Sequence, residues 1–355
     1  MIKDKSHNFI LNDFWTISSL LAVLLVVNMS RDITRPFYGL HSWGEAHRSW
    51  SARTHIKYGM GYTKGLSTKA VGNPPTDQPL RYLNHPQLPD LLNTPFMLFF
   101  GSNEWSLRVI KIIATILTLV IFLKILKGLL DDFTALLAGL IFCLFPLIAY
   151  FGVNYWLYPF GLWAIWNYLV IIKGLLRGPE PRKAHKVYLV ISLFMVIQMG
   201  WEGVFFDMAI GLHYVFHCLR AYISRRRFPD IHLLAILILA PLSSILVNLT
   251  VMAAGYGWNW ERILITFKWR AGSGEMLKHN WGEWFTRMWE YGVTNFTLPV
   301  LIIAILYLTI GQLILIWLRN LPASQRYVKR QFPLFWLFFM IPVLQQFILK
   351  GCLWK

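Results

Sequence analysis

Long apolar runs alternate along the chain with short polar connections that are rich in lysine and arginine. A helix needs about 20 mostly apolar residues to cross the hydrocarbon core of a membrane. Seven runs suit single spans: 14–29, 109–127, 133–151, 153–172, 231–254, 298–318 and 332–349. The stretch 187–219 is too long for one span, and Gly-Trp-Glu-Gly at 200–203 predicts a turn between two. The pattern therefore predicts an all-α membrane protein, a polytopic bundle of about nine spans in a single transmembrane domain, 1–355.

The basic connections predict how this bundle is oriented. Three of them are short and strongly positive: 173–186, 220–229 and 319–331. They fall on one side if 187–219 is a hairpin, and short loops rich in lysine and arginine face the cytoplasm. We therefore expect a multi-pass protein with a cytoplasmic N-terminus. The compact loops favour the bacterial plasma (inner) membrane over the endoplasmic reticulum.

Two long segments then lie on the opposite, outer side: 30–107 and 255–296. In the first, the run 86–100 contains internal prolines, an aspartate and an asparagine, so we expect an interfacial helix there. The second reads as short amphipathic helices anchored by tryptophans. Bulky polar segments on one face of a membrane protein are where we expect chemistry.

A helix is also predicted at the start of the first outer segment. Ser42 is a suitable N-cap, and Gly59 follows Tyr58 as a stop signal. On this helix Glu45, Arg48 or Ser49, and Ala52 share one face at helical spacing.

Composition narrows the class of protein. Of the 355 residues, 56% are hydrophobic and 14% charged, whereas soluble domains average about 25% charged, which excludes a disordered chain or an ordinary soluble enzyme. The net charge is +17, and the basic residues lie in the connections between apolar runs. This distribution indicates membrane topology, so we expect no nucleic-acid partner. The cysteines Cys143, Cys218 and Cys352 are far apart and form neither a disulfide framework nor a metal signature. His213 and His217 have no third ligand, so no metal site or cofactor is expected.

Three motifs occur in order in the first outer segment. They are Glu45 on a helix after the first span, Asn84-His85-Pro86-Gln87-Leu88, and Phe100-Gly101-Ser102-Asn103-Glu104 followed by Arg108. This order resembles the GT-C membrane glycosyltransferases, especially the protein O-mannosyltransferase and aminoarabinose-transferase group. The sequence departs from that pattern at Gln87, where those enzymes have a second proline, and at Glu45, where they often have aspartate.

The resemblance implies a GT-C-like helical bundle and an activity. A sugar would pass from a polyprenyl-phosphate carrier to a lipid, glycan or protein acceptor on the periplasmic or lumenal side, with inversion. Glu45 would be the general base, because a positioned carboxylate can remove the acceptor proton. The alternative for Glu45 is a solvated charge on a helix face, and Asp77 is the second candidate carboxylate.

Further side chains are candidates for binding the substrate, by charge or by position: His85, Arg53, Arg108, Glu202, Lys268 and Arg270. Arginine and lysine suit a lipid phosphate. Structural roles stay open for each of these residues. Arg108 could anchor its helix, together with Glu104 and Lys111 on the same face, and Lys268 and Arg270 could contact lipid headgroups.

Two other classes of protein stay open. A transporter or flippase of a lipid-linked or polar solute would place polar residues in broken spans and often repeats its halves, and neither feature is evident. An inactive, truncated relative is the other alternative.

Overall fold

The structure, a computed structural model, describes residues 14–37, 42–130, 132–145, 158–172, 183–225 and 230–270, and isolated positions from 148 to 152 and 282 to 306. This part of the chain is mostly helical. Its helices are α1 (Phe14–Met29), α2 (Ser42–Thr63), α3 (Leu88–Phe100), α4 (Glu104–Leu129), α5 (Asp132–Leu144), α6 (Tyr158–Ile171), α7 (Lys183–Met199), α8 (Gly203–Arg225), α9 (Ile231–Gly255) and α10 (Trp260–Arg270). Two short antiparallel strands, β1 (Thr68–Lys69) and β2 (Leu80–Arg81), pair between α2 and α3, and a 3-10 turn, Ser30–Asp32, follows α1.

Several helix predictions are confirmed. Helix α1 has the predicted bounds 14–29, and α3, Leu88–Phe100, lies within the run 86–100, where its interfacial position stays a prediction. Helix α2 begins at Ser42, and Gly59 interrupts it with a φ of 82°, a conformation that favours glycine. The predicted spans 298–318 and 332–349 lie outside the described residues, apart from isolated positions in the first.

The predicted turn inside 187–219 separates α7 from α8. The amide of Gly203 donates to the carbonyl of Gly200 at 2.9 Å. A β-carbon at Gly203 would collide with the backbone of Val196, so this close approach requires glycine. Two helices joined by a tight turn therefore replace one overlong span.

The chain divides into two compact units, each described here by itself. The first contains 1–207 and 230–258, and the second contains 208–229 and 259–355. In the first unit, α4 packs against α1, α3, α5 and α6, while α7 packs against α6 and α9. The candidate residues of the first outer segment all belong to this first unit, around the N-terminal end of α4.

One apolar core joins α1, α4 and α5. Leu25, Leu119 and Cys143 are fully buried in it. The side-chain amide of Asn28 donates to the carbonyl of Cys143 at 3.0 Å, which fastens α5 to α1. This core holds α4 in place and so positions the polar residues at its N-terminal end.

Among the described residues, two helices, α4 and α9, are long and apolar enough to cross a membrane, and four shorter helices are also apolar. Only 22% of the most apolar window of α9 is buried, unlike a helix in the core of a soluble protein. Large apolar side chains such as Leu20, Phe133 and Leu239 are more than half exposed. Exposed apolar faces of this kind are typical of membrane association.

Candidate functional site

The carboxylate of Glu45 lies in the first turn of α2, on the inward face of that helix. Glu45, Ser49 and Ala52 are all buried, which confirms the shared face predicted from their spacing. Glu45 is only 3% exposed. It is therefore not a solvated surface charge, and the cost of burying it must be offset by partners.

Two cations supply that compensation. Nζ of Lys111, a fully buried residue of α4, forms an ion pair with Oε2 of Glu45. Nη1 of Arg48, one turn along α2, lies 3.5 Å from Oε1 of the same carboxylate. A buried charge is costly unless it is paired, and Lys111 and Arg48 are the partners that offset this cost for Glu45.

A second carboxylate, Asp90, is joined to the first through Arg48. It lies in the first turn of α3, with Oδ1 3.9 Å from Nε of Arg48. Burial raises the pKa of the Asp90 carboxyl above its ordinary value, while the charge of Arg48 and hydrogen bonds with Ser67 and Ser51 oppose the rise. The two carboxylates therefore differ: Glu45 is held by a buried cation, and Asp90 takes up a proton more readily than an exposed aspartate.

Sequence reasoning missed Asp90 and favoured Asp77 as the second carboxylate. Asp77 is exposed in the connection between β1 and β2. The signal that could have identified Asp90 is its place in the first turn of an otherwise apolar helix, three residues after Gln87, because helix N-termini favour negative charge.

Lys69 adds a third cation beside these carboxylates. Its Nζ contacts Nε2 of His47 and lies 5.6 Å from the ring centroid of Trp50 and 6.0 Å from that of Tyr82. Burial lowers the pKa of Lys69, and the charge of Asp90 opposes this change. The amine is thus held among aromatic rings at the edge of the cluster.

His55, on the next turns of α2, is buried and polar but uncharged at neutral pH. Its Nδ1 lies 2.8 Å from Oγ1 of Thr63, and its Nε2 lies 3.5 Å from Oγ of Ser51. Burial lowers the pKa of His55 to about 4. The same Ser51 hydroxyl accepts from the amide of Thr68 at 3.2 Å, so His55 belongs to a network that fastens β1 to α2.

Gln87, the departure from the family motif, closes the turn formed by residues 82–87. Its Oε1 accepts from the amide of Ser67, and its Nε2 donates to the carbonyl of His85 at 2.5 Å. The residue is 7% exposed. A buried side-chain amide therefore fixes the backbone at the position where the motif has a second proline.

Asn84, in the same turn, is anchored from two other elements of the first unit. Its carbonyl accepts from Nε1 of Trp201 at 3.0 Å, and its Oδ1 accepts from the hydroxyl of Tyr256 at 2.9 Å. Trp201 belongs to the turn between α7 and α8, and Tyr256 follows α9. The ends of these helices therefore converge on the turn that carries His85.

The other predicted binding residues of this unit have different surroundings. His85 is half-buried, with its ring centroid 5.6 Å from that of Tyr82. Arg53 is exposed and donates from Nη2 to the carbonyl of Ser102 at 2.9 Å. Glu202 is half-buried in the turn next to Trp201. These contacts leave substrate binding by His85, Arg53 and Glu202 as a prediction.

Arg108 is buried and holds the backbone that follows α1. Its Nη1 donates to the carbonyls of Ile33 at 2.7 Å and Arg35 at 2.5 Å, and its Nη2 donates to that of Pro36 at 3.3 Å. These bonds support the structural alternative for Arg108, and substrate contact stays a prediction. Lys111, one turn further along α4, is buried as well, whereas Glu104 is half-buried.

Lys268 and Arg270 fall on α10 in the second unit. Their side chains lie outside the described residues. Their proposed contact with a lipid phosphate is a prediction only.

The cluster defined by Glu45, Arg48, Lys69, Asp90 and Lys111 combines carboxylates and cations in a largely dry environment. Such an arrangement can accept a proton and stabilise a developing anion. Within the described ranges, no group of three or more His, Cys, Asp or Glu side chains could hold a metal ion.

Comparisons of the chain with models of known protein families, with curated proteins and with solved structures found no match.

Proposed function

We propose that the chain is an integral-membrane glycosyltransferase of the GT-C type, which takes a sugar from a polyprenyl-phosphate carrier. The observation that carries this proposal is the buried cluster around Glu45. It contains two carboxylates of different character and three cations, next to the turn with His85. These are the groups that a transfer from a lipid phosphate requires.

The exposed apolar faces support the membrane part of the proposal. Among the described residues, the most apolar windows of α4 and α9 are only 44% and 22% buried, and open apolar surface of this extent supports a place in a bilayer. The lipid-linked donor requires the same environment, because its polyprenyl chain remains in the bilayer while its phosphate reaches the polar cluster.

In the proposed reaction, an acceptor hydroxyl or amine attacks the anomeric carbon as a carboxylate removes its proton. A bond forms between the acceptor and that carbon, and the bond from that carbon to the phosphate oxygen breaks. The electron pair leaves with the polyprenyl phosphate, whose charge the nearby cations stabilise. Attack from the opposite face inverts the anomeric configuration.

Glu45 is the proposed base, and Asp90 is the second candidate for that role. Glu45 has the position that the motif order implies, but its carboxylate is covered and paired with Lys111. Burial raises the pKa of the Asp90 carboxyl, which favours proton uptake by this group. Arg48 contacts both, so it is the positioning residue in either case.

The test is an assay of the purified chain in lipid with a panel of polyprenyl-phosphate sugars and acceptors. Release of polyprenyl phosphate is followed by mass spectrometry for wild type, Glu45→Gln and Asp90→Asn. Loss of general-base catalysis typically costs about 10²–10⁴-fold in rate. We expect a loss of that size for the variant that removes the base, and full turnover for Asp77→Asn, an exposed carboxylate that serves as the matched control.

Folding of each variant is checked by gel filtration and thermal unfolding. Because Glu45→Gln leaves Lys111 buried without its carboxylate, a second variant, Glu45→Gln with Lys111→Met, separates lost chemistry from lost stability. Release that survives in both carboxylate variants would contradict the base assignments. Folded protein that releases no polyprenyl phosphate with any donor would contradict the transferase itself and favour the transporter or an inactive relative.

A further inference from the structure

A large groove follows α4. Its volume is about 1360 Å³, and it is lined by α4, α6 and α7, with α3 at one end. Residues of α4 form its floor at helical spacing: Ile110, Ala114, Leu117, Ile121 and Lys124. At 1.5 Å per residue, the floor from Ile110 to Lys124 is roughly 21 Å long.

Most of this groove is apolar. Leu92 and Phe96 of α3 line it near the N-terminal end of α4, and Phe160 and Trp163 of α6 line it further along. Leu117 on the floor is 51% exposed. A surface of this length and character is long enough to hold an acyl chain, since one leaflet contributes about 15 Å of a 30 Å hydrocarbon core.

The far end of the groove is polar and positively charged. Lys124 is exposed there, with Nζ 4.8 Å from the ring centroid of Trp166. Lys127 lies 3.5 Å from Oδ1 of Asp132, so the charges of those two residues offset each other. Within the described ranges no carboxylate is paired with Lys124, and its charge is the net charge of this end.

His185 and Asn167 line this groove as well and are joined by a hydrogen bond. Nδ1 of His185 is 3.0 Å from Oδ1 of Asn167, and Nδ2 of Asn167 donates to the carbonyl of Trp163 at 2.8 Å. Because the nitrogen of the Asn167 side-chain amide faces the Trp163 carbonyl, its oxygen faces His185. Nδ1 of His185 therefore donates the hydrogen bond that this oxygen accepts. Asn167 is 1% exposed, which makes this a built feature of the groove wall.

We propose that this groove binds an anionic phospholipid, with its phosphate at Lys124 and one acyl chain along the α4 floor. Lysine is a point-charge ligand for phosphate, and a cation at the boundary of the membrane attracts anionic lipid. Trp15, which lines the same groove and is 69% exposed, has the amphipathic ring that prefers the membrane interface.

This site differs from the proposed donor site. Lys111, which pairs with Glu45, is 13 residues from Lys124 along α4, or roughly 20 Å at the helical rise. A phosphate at Lys124 is therefore too far from Glu45 to leave an anomeric carbon there. The inference requires that α4 lies in a membrane, but it does not require glycosyl transfer.

The test is native mass spectrometry of the full chain in detergent with phosphatidylglycerol and phosphatidylcholine of identical acyl chains. We expect wild type to retain phosphatidylglycerol on the order of fivefold more strongly, which is the effect of one lysine near anionic lipid. Lys124→Gln should abolish that preference. Lys183→Gln, which removes an exposed lysine outside the groove lining, is the matched control and should preserve it.

Two further arms identify the occupant. Leu117→Trp places a larger side chain on the floor of the groove and should weaken binding of both phospholipids. If this variant instead loses only the preference for phosphatidylglycerol over phosphatidylcholine, the placement of the acyl chain is contradicted. Polyprenyl phosphate is tested against the same variants, and its binding should not depend on Lys124. The proposal is overturned if Lys124→Gln behaves like Lys183→Gln, or if polyprenyl phosphate shows the lysine dependence in place of phosphatidylglycerol.

Discussion

The two ends of α4 carry cations in opposite environments. Near the N-terminal end, Arg108 and Lys111 are buried and bound to backbone carbonyls and to Glu45. Near the C-terminal end, Lys124 is exposed beside an apolar groove, and Lys127 is a third exposed. One helix therefore uses basic residues to hold the fold together at one end and leaves a basic residue accessible at the other.

This difference teaches that burial, and not charge, decides the role of a basic residue here. A buried cation must be paired, so removing its partner is costly, whereas an exposed cation contributes little to folding. Because both ends belong to one helix, the same substitution made at a buried lysine and at an exposed lysine compares the two environments within one fold.

The largest effect is expected for Lys111→Met. Removing one member of a buried ion pair typically costs about 3–5 kcal/mol, because the other charge stays buried. We expect a loss of this size in the free energy of unfolding, measured by denaturant titration in detergent micelles. Lys124→Met is the matched control and should change it by no more than about 0.5 kcal/mol.

The double variant Glu45→Gln with Lys111→Met sharpens the same comparison. It removes both charges and should recover most of the stability that Lys111→Met loses. If the single and double variants lose the same free energy of unfolding, the loss in Lys111→Met does not come from leaving Glu45 unpaired, and the account of the ion pair is contradicted.

A smaller loss of stability is expected for Arg108→Lys, which keeps the positive charge and removes the planar guanidinium group. A single ammonium cannot reproduce three bonds from two nitrogens to the carbonyls of residues 33, 35 and 36. Lost hydrogen bonds from charged groups cost about 1.5–3 kcal/mol. Thermal unfolding should report this loss, whereas Lys124→Arg at the other end should leave the midpoint unchanged.

Burial of polar groups near the N-terminal end of α4 should also make the free energy of unfolding depend on pH. The pKa of His55 is lowered to about 4 in the fold, from 6.5 in the unfolded chain. The unfolded state therefore binds more protons between these values, and stability contributed by neutral His55 is lost as pH falls from 6.5 to 4. The difference in unfolding free energy between wild type and His55→Gln should shrink over that range, and a constant difference would contradict the burial of a neutral ring.

The smallest effect is expected for Asp207→Asn in α8. Asp207 is 5% exposed, and within the described residues its carboxylate oxygens have no hydrogen-bond partner. Because a buried carboxyl without a partner is costly, its replacement by the similar-sized asparagine should leave the unfolding free energy within about 0.5 kcal/mol, or raise it. A loss like that of Lys111→Met would show that Asp207 is paired.

The helices of the described region could be predicted from sequence because their signals are local. An apolar run predicted the bounds of α1, Gly59 marked a kink that its positive φ permits, and Gly203 marked a tight turn where a β-carbon would collide with the backbone of Val196. The last two predicted spans, 298–318 and 332–349, stay predictions, as does the total of nine.

The candidate site was less accessible to sequence reasoning because its contacts join distant segments. The face of α2 that carries Glu45 follows from helical spacing, and its burial is confirmed. The pairing with Lys111 of α4 and the bridge through Arg48 to Asp90 depend on how three helices pack, which no local pattern encodes. Sequence reasoning named Asp77 as the second carboxylate and did not consider Asp90, because no local pattern shows which carboxylate the fold buries.

The central claim is that α4 crosses a membrane, with Glu45 and the groove lysine on opposite sides. We would test it in cells with single-cysteine variants, after replacing Cys143 by alanine and Cys218 and Cys352 by serine. Ser102→Cys precedes α4, and Lys183→Cys begins α7 beside the other end; both positions are exposed. The account predicts that a membrane-impermeant maleimide labels Ser102→Cys in intact cells and Lys183→Cys only after permeabilisation. Equal labelling of both variants in intact cells would contradict it.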